Sequence, residues 1–508
     1  MSTTAPSFDG IEHIVVLMLE NRSFDNVLGR TFEPHAKRVN GYFPSWEHLV
    51  PIPVPGFNLP GRNVLVSSIP TPDPGEWWQS MNQQIFGLLE PPPVNAPSPT
   101  EPGPLGAMGG FVQNYHRTLQ DYDYPTVLTP LIMNGYSAEQ MPVTTALAQA
   151  FAVVDRHFAS APCQTMPNRC FAQLGTAMGY VNNDSYPEGD YNQSVSNAPY
   201  FAPTIFNQIG ETPGLSWKVY FNDFPLTALM ADTWLHPEHF HFFDRFKADV
   251  AAGQLPSYSW IEPAYQLFPT DNHPPHDINL GEYLLAEVYN TLRADPALFQ
   301  KTLLIVTYDE HGGCFDPVMP PACTPDCWDG RVPSFAFDRY GVRVPTLLIS
   351  PRIAPGTVGT PGFGPGAGPD YDHTSILATV RHALGVAGKP LSDREGHALD
   401  YRAFLIQDPA QPNLGPEQVS VGLSREELEL QAVVSTVSSL GQLWYENHHK
   451  IPATVEEALA AHAAHRAGLW VPPAADRGLS DTEKLERIGQ GLLRLYGRRP
   501  VGLMRWSA

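Results

Sequence analysis

Two runs of seven residues, HIVVLML at 13–19 and TLLIVTY at 302–308, are apolar or β-forming throughout and stop abruptly on polar groups. The first ends on Glu20, Asn21 and Arg22, the second on Asp309, Glu310 and His311. A strand that is apolar at successive rather than alternate positions has to be covered on both faces, the condition of a central strand in a parallel sheet. Runs of the same kind at Phe151–Val154, Trp217–Phe221 and Val344–Ser350 supply further strands. Helix-like stretches stand between some of them. In GEYLLAEVYNTLR (281–293), Leu284, Leu285, Val288 and Leu292 share one face. The pattern predicts an α/β fold: a buried, largely parallel sheet with helices on both sides. Functional groups in such sheets gather beyond the carboxyl ends of the strands. Glu20–Asn21, Asp155 and the DEHGG segment (309–313) all stand at such ends.

The rest of the chain bounds the partners. With 31 basic and 52 acidic residues the net charge is −21, which argues against nucleic acid or an anionic membrane as an electrostatic partner. An anionic substrate stays compatible, because a bound cation reverses the local sign. No run approaches the roughly 20 apolar residues of a membrane span, and the start, MSTTAPSFDGIEH, has neither a basic n-region nor an apolar h-region. The expectation is a soluble chain, cytoplasmic as written, and secreted or periplasmic if its leader has been removed. The five cysteines leave the redox compartment open: Cys323 and Cys327 suit either a loop disulfide or free thiols.

Residues 1–410 are read as an α/β catalytic domain, with 50–110 an irregular excursion or lid rich in proline and glycine. Trp77 and Trp78 in that excursion suit an apolar mouth and a plain core position equally. GTPGFGPGAGPD (359–370) lacks the lysine and hydroxyl of a phosphate-binding loop and reads as surface. From 411 to 508 a helical region is expected, since SREE (424–427), TVEE (454–457) and SDTE (480–483) each match a capping box. His462 with His465, and His448 with His449, read as solvent-facing.

Four stretches offer oxygen and imidazole ligands of the kind a hard cation and phosphoryl chemistry need. They are Glu20–Asn21, Asp309–Glu310, the proline-stiffened loop holding Asp271, His273, His276 and Asp277, and DYDHTS with Asp370, Asp372 and His373. One hydroxyl stands out beside them. Thr165, in SAPCQTMPNRCFAQLGT, precedes a predicted helix, where backbone dipoles favour an oxyanion or a phosphate. On residue type alone, a threonine in such a turn is more often an N-cap than a nucleophile.

The segments IEHIVVLMLENRSFDNVLG, PCQTMPNRCF, NHPPHDI, LLIVTYDEHGGCFDPV and YDHTSIL occur in this order across roughly residues 10–390. Together they resemble the non-specific phospholipase C family of bacteria and plants, which includes bacterial acid phosphatases. The resemblance implies an alkaline-phosphatase-like three-layer α/β/α sandwich and a phosphoric ester hydrolase of phospholipase C type. It further implies that Glu20, Asn21, Thr165, Asp309 and Glu310 surround one divalent metal (Ca, Mg, Mn or Zn), with Thr165 the nucleophile of a phosphothreonine intermediate. Asn21 and His273 would stabilise the phosphoryl group, with His241 a weaker match to a second catalytic histidine, a place for which its neighbours His236 and His239 compete. His276, His373 and Arg169 would lie on the substrate side. The substrate would be a phospholipid or a small phosphate ester. A broad-specificity phosphomonoesterase on the same site is the alternative, and a catalytically silent lipid- or phosphate-binding protein a further one. Two departures stand out: Pro317 follows Asp316 where relatives commonly carry histidine, and Cys163 and Cys170 flank the threonine turn, which a disulfide would clamp.

Overall fold

A computed structural model describes residues 6–29, 70 and 72–435, apart from 94–95, 123, 125, 184–201, 231–232, 234–235, 266–267, 327–334, 360–367, 430 and 433–434. Eight strands form one sheet: β1 His13–Leu19, β2 Ala152–Val153, β3 Trp217–Phe221, β4 Phe240–Phe242, β5 Tyr258–Glu262, β6 Thr302–Tyr308, β7 Thr346–Ile349 and β8 Thr357–Val358. Their order is β4-β3-β5-β1-β6-β7-β2-β8. β1 lies parallel between β5 and β6, in register Leu17 with Ile261 and Leu19 with Tyr308. β7 alone runs antiparallel to its neighbours β6 and β2. β5 and β6 are buried at every position, and β1 at all but His13. Layers therefore cover both faces of the sheet, as the continuous apolar runs demand. No helix among the described residues is long and apolar enough to cross a membrane.

The predicted helix at 281–293 spans Ile278–Arg293, capped by the Asp277 carboxylate, which accepts from the Asn279 N–H at 2.9 Å. It also caps another helix. Pro142–Ala150 has no side-chain cap of its own, and Glu282 accepts from the N–H groups of Val143 and Thr144 at 2.6 and 3.1 Å. Burial pushes the Glu282 carboxyl up to about 7, against the pull of those donors. A carboxyl raised in the folded state holds its proton longer there than when unfolded, so its contribution is full below the unfolded value and lost as pH rises through about 7. Denaturant titrations are expected to show the stability of wild type relative to E282Q declining between pH 5 and pH 8. A pH-independent difference would contradict this.

The Ser424 capping box forms: its hydroxyl accepts from the Glu427 N–H at 3.2 Å and Glu427 accepts from the Ser424 N–H at 2.9 Å. The TVEE and SDTE boxes, His448, His449, His462, His465, Cys327 and most of the 359–370 loop lie outside the described residues. No disulfide clamps the threonine turn. Cys163 and Cys170 are free buried thiols, and Cys170 Sγ packs 3.9 Å from Met230 Sδ. Trp78 is wholly buried, which decides for core at that position.

Candidate active site

The carboxyl ends of β1 and β6 meet. The Asp309 N–H donates to the Leu19 carbonyl at 3.2 Å, and the Asn21 N–H donates back to Asp309 Oδ1 at 3.1 Å. Asn21 turns the chain with φ 56°, a left-handed conformation that asparagine tolerates better than most residues. This turn carries Glu20 and the Asn21 amide to the side of Asp309 and Glu310. It also explains the first glycine of DEHGG. A Cβ on Gly312 would lie 2.2 Å from the Asn21 carbonyl oxygen.

The second glycine, Gly313, admits a segment not expected at the site. A Cβ there would lie 2.7 Å from Pro74 Cβ. The segment 72–77 lies against the DEHGG turn and is tied down by Gln84, from the helix Trp78–Phe86. The Gln84 amide donates to the Gly75 carbonyl at 2.6 Å, and its Oε1 pairs with His311 Nε2 at 2.9 Å. Burial drives the His311 imidazole down to about 3, so it is a neutral strut. Asp73 and Glu76 are thereby placed beside His273. The ligand atoms of these three all lie within 4.8 Å of one another. The Asn21 amide donates to Glu76, and the Gln164 amide donates to Glu76 at 3.4 Å. G313A, with a positive φ of +64° and this close approach, is expected to cost about 1–3 kcal/mol of stability and to displace Glu76. Denaturant titration and divalent-ion binding check it; wild-type behaviour in both would show that the turn yields freely.

Thr165 is the first residue of the helix Thr165–Leu174; Gln164 before it makes no side-chain cap, and Asn183 Oδ1 instead accepts from the Met166 N–H at 2.8 Å. Arg169 follows four residues on, so the two share a helix face. The Arg169 guanidinium is fully buried and reaches three carboxylates: Glu20 at 3.2 Å, Glu262 at 3.3 Å and Asp309 at 3.3 Å. It stands between Glu20 and Asp309. Thr165 therefore lies one turn nearer the helix N-terminus, on the side that faces the strand ends. The turn before it is held by Asn168, whose amide donates to the carbonyls of Ala161 and Cys163 at 3.2 and 2.6 Å.

The acids repel one another. Burial, opposed by Arg169 and reinforced by Asp309, Asp271 and Glu76, holds the Glu20 carboxyl well above the usual range. Burial and then Asp309 push Glu310 up to about 8, and burial and then Glu310 do the same to Glu76. Two buried oxygens in this group, Asn21 Oδ1 and Glu310 Oε1, have no hydrogen-bond partner among the described residues. Crowded carboxylates, orphaned oxygens and an imidazole are the donor set of a divalent cation. The residues present fit such an ion.

The remaining histidines divide. His276 Nδ1 donates to Asp271 Oδ1 at 2.5 Å, and its ring lies 5.9 Å from that of His273. His373 is buried and sits close to the acids: Nε2 bonds the Tyr308 carbonyl at 2.9 Å and Nδ1 accepts from the Ser160 N–H at 3.4 Å. Burial lowers its pKa. His241 does not join them. It sits in edge strand β4, in register with Tyr220, Ile261 and Leu17 through β3 and β5. Three strand spacings of about 4.8 Å put it some 14 Å to the side of β1, where its ring faces Tyr220 at 6.3 Å. Arg22 Nε donates to the Asn272 carbonyl at 2.7 Å. Asp316, before the unusual Pro317, accepts from Arg343 Nε and Nη2 at 3.0 Å each and acts as a buried post.

Three acids at the site escaped the sequence reading. Glu262 ends YSWIE, a strand that stops on a carboxylate just as β1 does. Its length and mixed polarity hid it. Asp73 and Glu76 lie in a segment without periodicity, and the paired glycines of DEHGG were the available signal.

The sequence model of the Phosphoesterase family matches residues 11–387. Non-specific phospholipase C6 of Arabidopsis thaliana is 34% identical over 404 residues, covering 77% of this chain and 71% of that protein. Non-specific phospholipase C5 of the same plant is 36% identical over 387 residues, covering 73% and 70%. Phospholipase C B of Mycobacterium tuberculosis is 28% identical over 484 residues, covering 84% of each. Among solved structures, a protein in the alkaline phosphatase superfamily from Vibrio parahaemolyticus aligns with a TM-score of 0.30 and 12% identity, over 62% of this chain and 84% of that one.

Proposed function

This chain belongs to the Phosphoesterase family, and on that premise we propose that it is a metal-dependent phospholipase C-like phosphodiesterase with Thr165 as its nucleophile. The observation that carries the reading is the helix Thr165–Leu174. Its first residue carries a hydroxyl on the face where Arg169 engages Glu20 and Asp309. Thr165 Oγ attacks phosphorus, the bond to the leaving alcohol breaks, and the phosphoryl group is held as a phosphothreonine until water releases a phosphomonoester. The positive end of the helix faces the phosphoryl oxygens. His276, oriented by Asp271, hands a proton to the departing alkoxide, and His273 stands on the phosphoryl side. Glu20, Asn21, Asp309 and Glu310 would hold a divalent cation, which when bound lowers the pKa of a coordinated hydroxyl and offsets phosphoryl charge. Arg169 keeps Glu20 and Asp309 apart and oriented; its three carboxylate partners leave it a support for the ligands and not a substrate clamp.

The test is hydrolysis of phosphatidylcholine vesicles beside p-nitrophenyl phosphate, after chelation and with Ca²⁺, Mg²⁺, Mn²⁺ or Zn²⁺ restored. Metal-dependent release of diacylglycerol is expected. Turnover of the monoester alone would mean a phosphomonoesterase, and full activity after chelation would remove the metal from the reading.

A further inference from the structure

Resting on the metal-dependent reading above, we propose that Asp73, Glu76 and His273 themselves bind a divalent cation, with Asn21 Oδ1 turned toward it. The three side chains come from two loops far apart in sequence, yet their ligand atoms lie mutually within 4.8 Å. The tautomer of His273 follows from its partner. Nδ1 lies 2.5 Å from the Pro274 carbonyl oxygen, which only accepts, so Nδ1 carries the proton. Nε2 then keeps a lone pair; Asp73 Oδ1 lies 3.8 Å from Nδ1 across the same ring, while Nε2 stands 4.0 Å from Glu76 Oε2. Two bonds of roughly 2.0–2.2 Å from one ion span that gap.

An independent observation points to the same place. Asn21 is wholly buried, and its Nδ2 donates to Glu76. Oδ1 of the same amide is buried and has no hydrogen-bond partner among the described residues. The cluster is also more open than the Arg169 network. The side chains of Asp73, Glu76 and His273 are 13%, 14% and 24% exposed, against 0% for Asp309. An ion here exchanges with solvent and can meet a phosphoryl oxygen. Two carboxylates, an imidazole and an amide oxygen suit Mn²⁺ or Zn²⁺ better than Ca²⁺, which takes oxygen ligands alone.

The experiment counts Mn²⁺ bound to the full chain after chelation and equilibrium dialysis, by mass spectrometry and by loss of the free-ion spin-resonance signal. Wild type, D73N, E76Q and E20Q are compared. D73N and E76Q are each expected to lose about one Mn²⁺ per chain or to weaken its binding at least tenfold. Two ions in wild type with one lost in E76Q would mark a separate position. One ion lost in both E20Q and E76Q would mark a shared one. Either supports the proposal. One ion lost in E20Q but kept in D73N and E76Q would overturn it, leave the metal-dependent reading intact and identify His273–Glu76 as an ion pair. No Mn²⁺ bound by wild type would overturn both. Circular dichroism of the chelated variants separates lost ligands from lost fold, and D73N gives a second reading if E76Q does not fold.

Discussion

Thr165→Ala is expected to lower diacylglycerol release by about 10⁴-fold or more, the scale on which a covalent nucleophile acts in concert with its surroundings. Thr165 opens a helix whose next turn, at Arg169, is locked to carboxylates from the ends of β1, β5 and β6. Its hydroxyl cannot drift from the strand ends without breaking those contacts. The alcohol is inert at neutral pH, so its surroundings have to lower its pKa. Thr165→Ser keeps the hydroxyl and is expected to retain activity within about tenfold, whereas Thr165→Ala leaves only what binding and preorganised charge supply. Quenching the wild type in acid during turnover and mapping the phosphorylated peptide would place the phosphoryl group on Thr165. If Thr165→Ala turned over substrate at the wild-type rate with metal present, the hydroxyl would be a helix-start residue and nothing more.

The site was legible in the sequence where local pattern and chemistry coincide. β1 and β6 are continuous apolar runs, and a continuous run has one reading in a large sheet: buried on both faces, with its carboxyl end at the crevice. That pattern puts Glu20, Asn21, Asp309 and Glu310 at strand ends; their ligand roles are what the family resemblance implies. Glu262 closes the neighbouring strand one residue past the Leu17–Ile261 pair, two residues short of Glu20, but YSWIE carries a serine and spans five residues, too little for periodicity to register. Asp73 and Glu76 reach the site because Gly313 lets Pro74 approach and Gln84 ties Gly75 to His311. Those are contacts between segments some 240 residues apart, and no local pattern encodes them. His241 failed in the opposite way. A histidine-rich stretch, HPEHFHFF, offered several similar candidates, and only the strand order shows that it lies at the edge of the sheet.

The second large effect is on stability. Arg169→Met removes the cation from three buried acids while keeping much of the side-chain volume. Breaking a buried ion pair by deleting one partner costs about 3–5 kcal/mol, because the remaining charge is left without compensation. Here three carboxylates lose one partner, though Glu262 is also held by Thr227 and the Trp260 indole N–H. The loss is therefore expected to fall mainly on Glu20 and Asp309. Arg169 at present opposes the upward push of burial on Glu20, so Arg169→Met raises that carboxyl further. A carboxyl raised in the folded state loses its contribution as pH climbs through its folded value, and the variant is expected to fall further behind wild type at pH 8 than at pH 5. Arg169→Lys should recover little, since an ammonium cannot present a planar fork to three partners at once. Denaturant midpoints with and without Mn²⁺ check this, and the ion should restore part of the loss by taking over the charge. Steady-state kinetics separate the two roles of Arg169: a substrate clamp would raise KM and leave the midpoint alone, whereas a support for Glu20 and Asp309 lowers the midpoint, the metal affinity and kcat together.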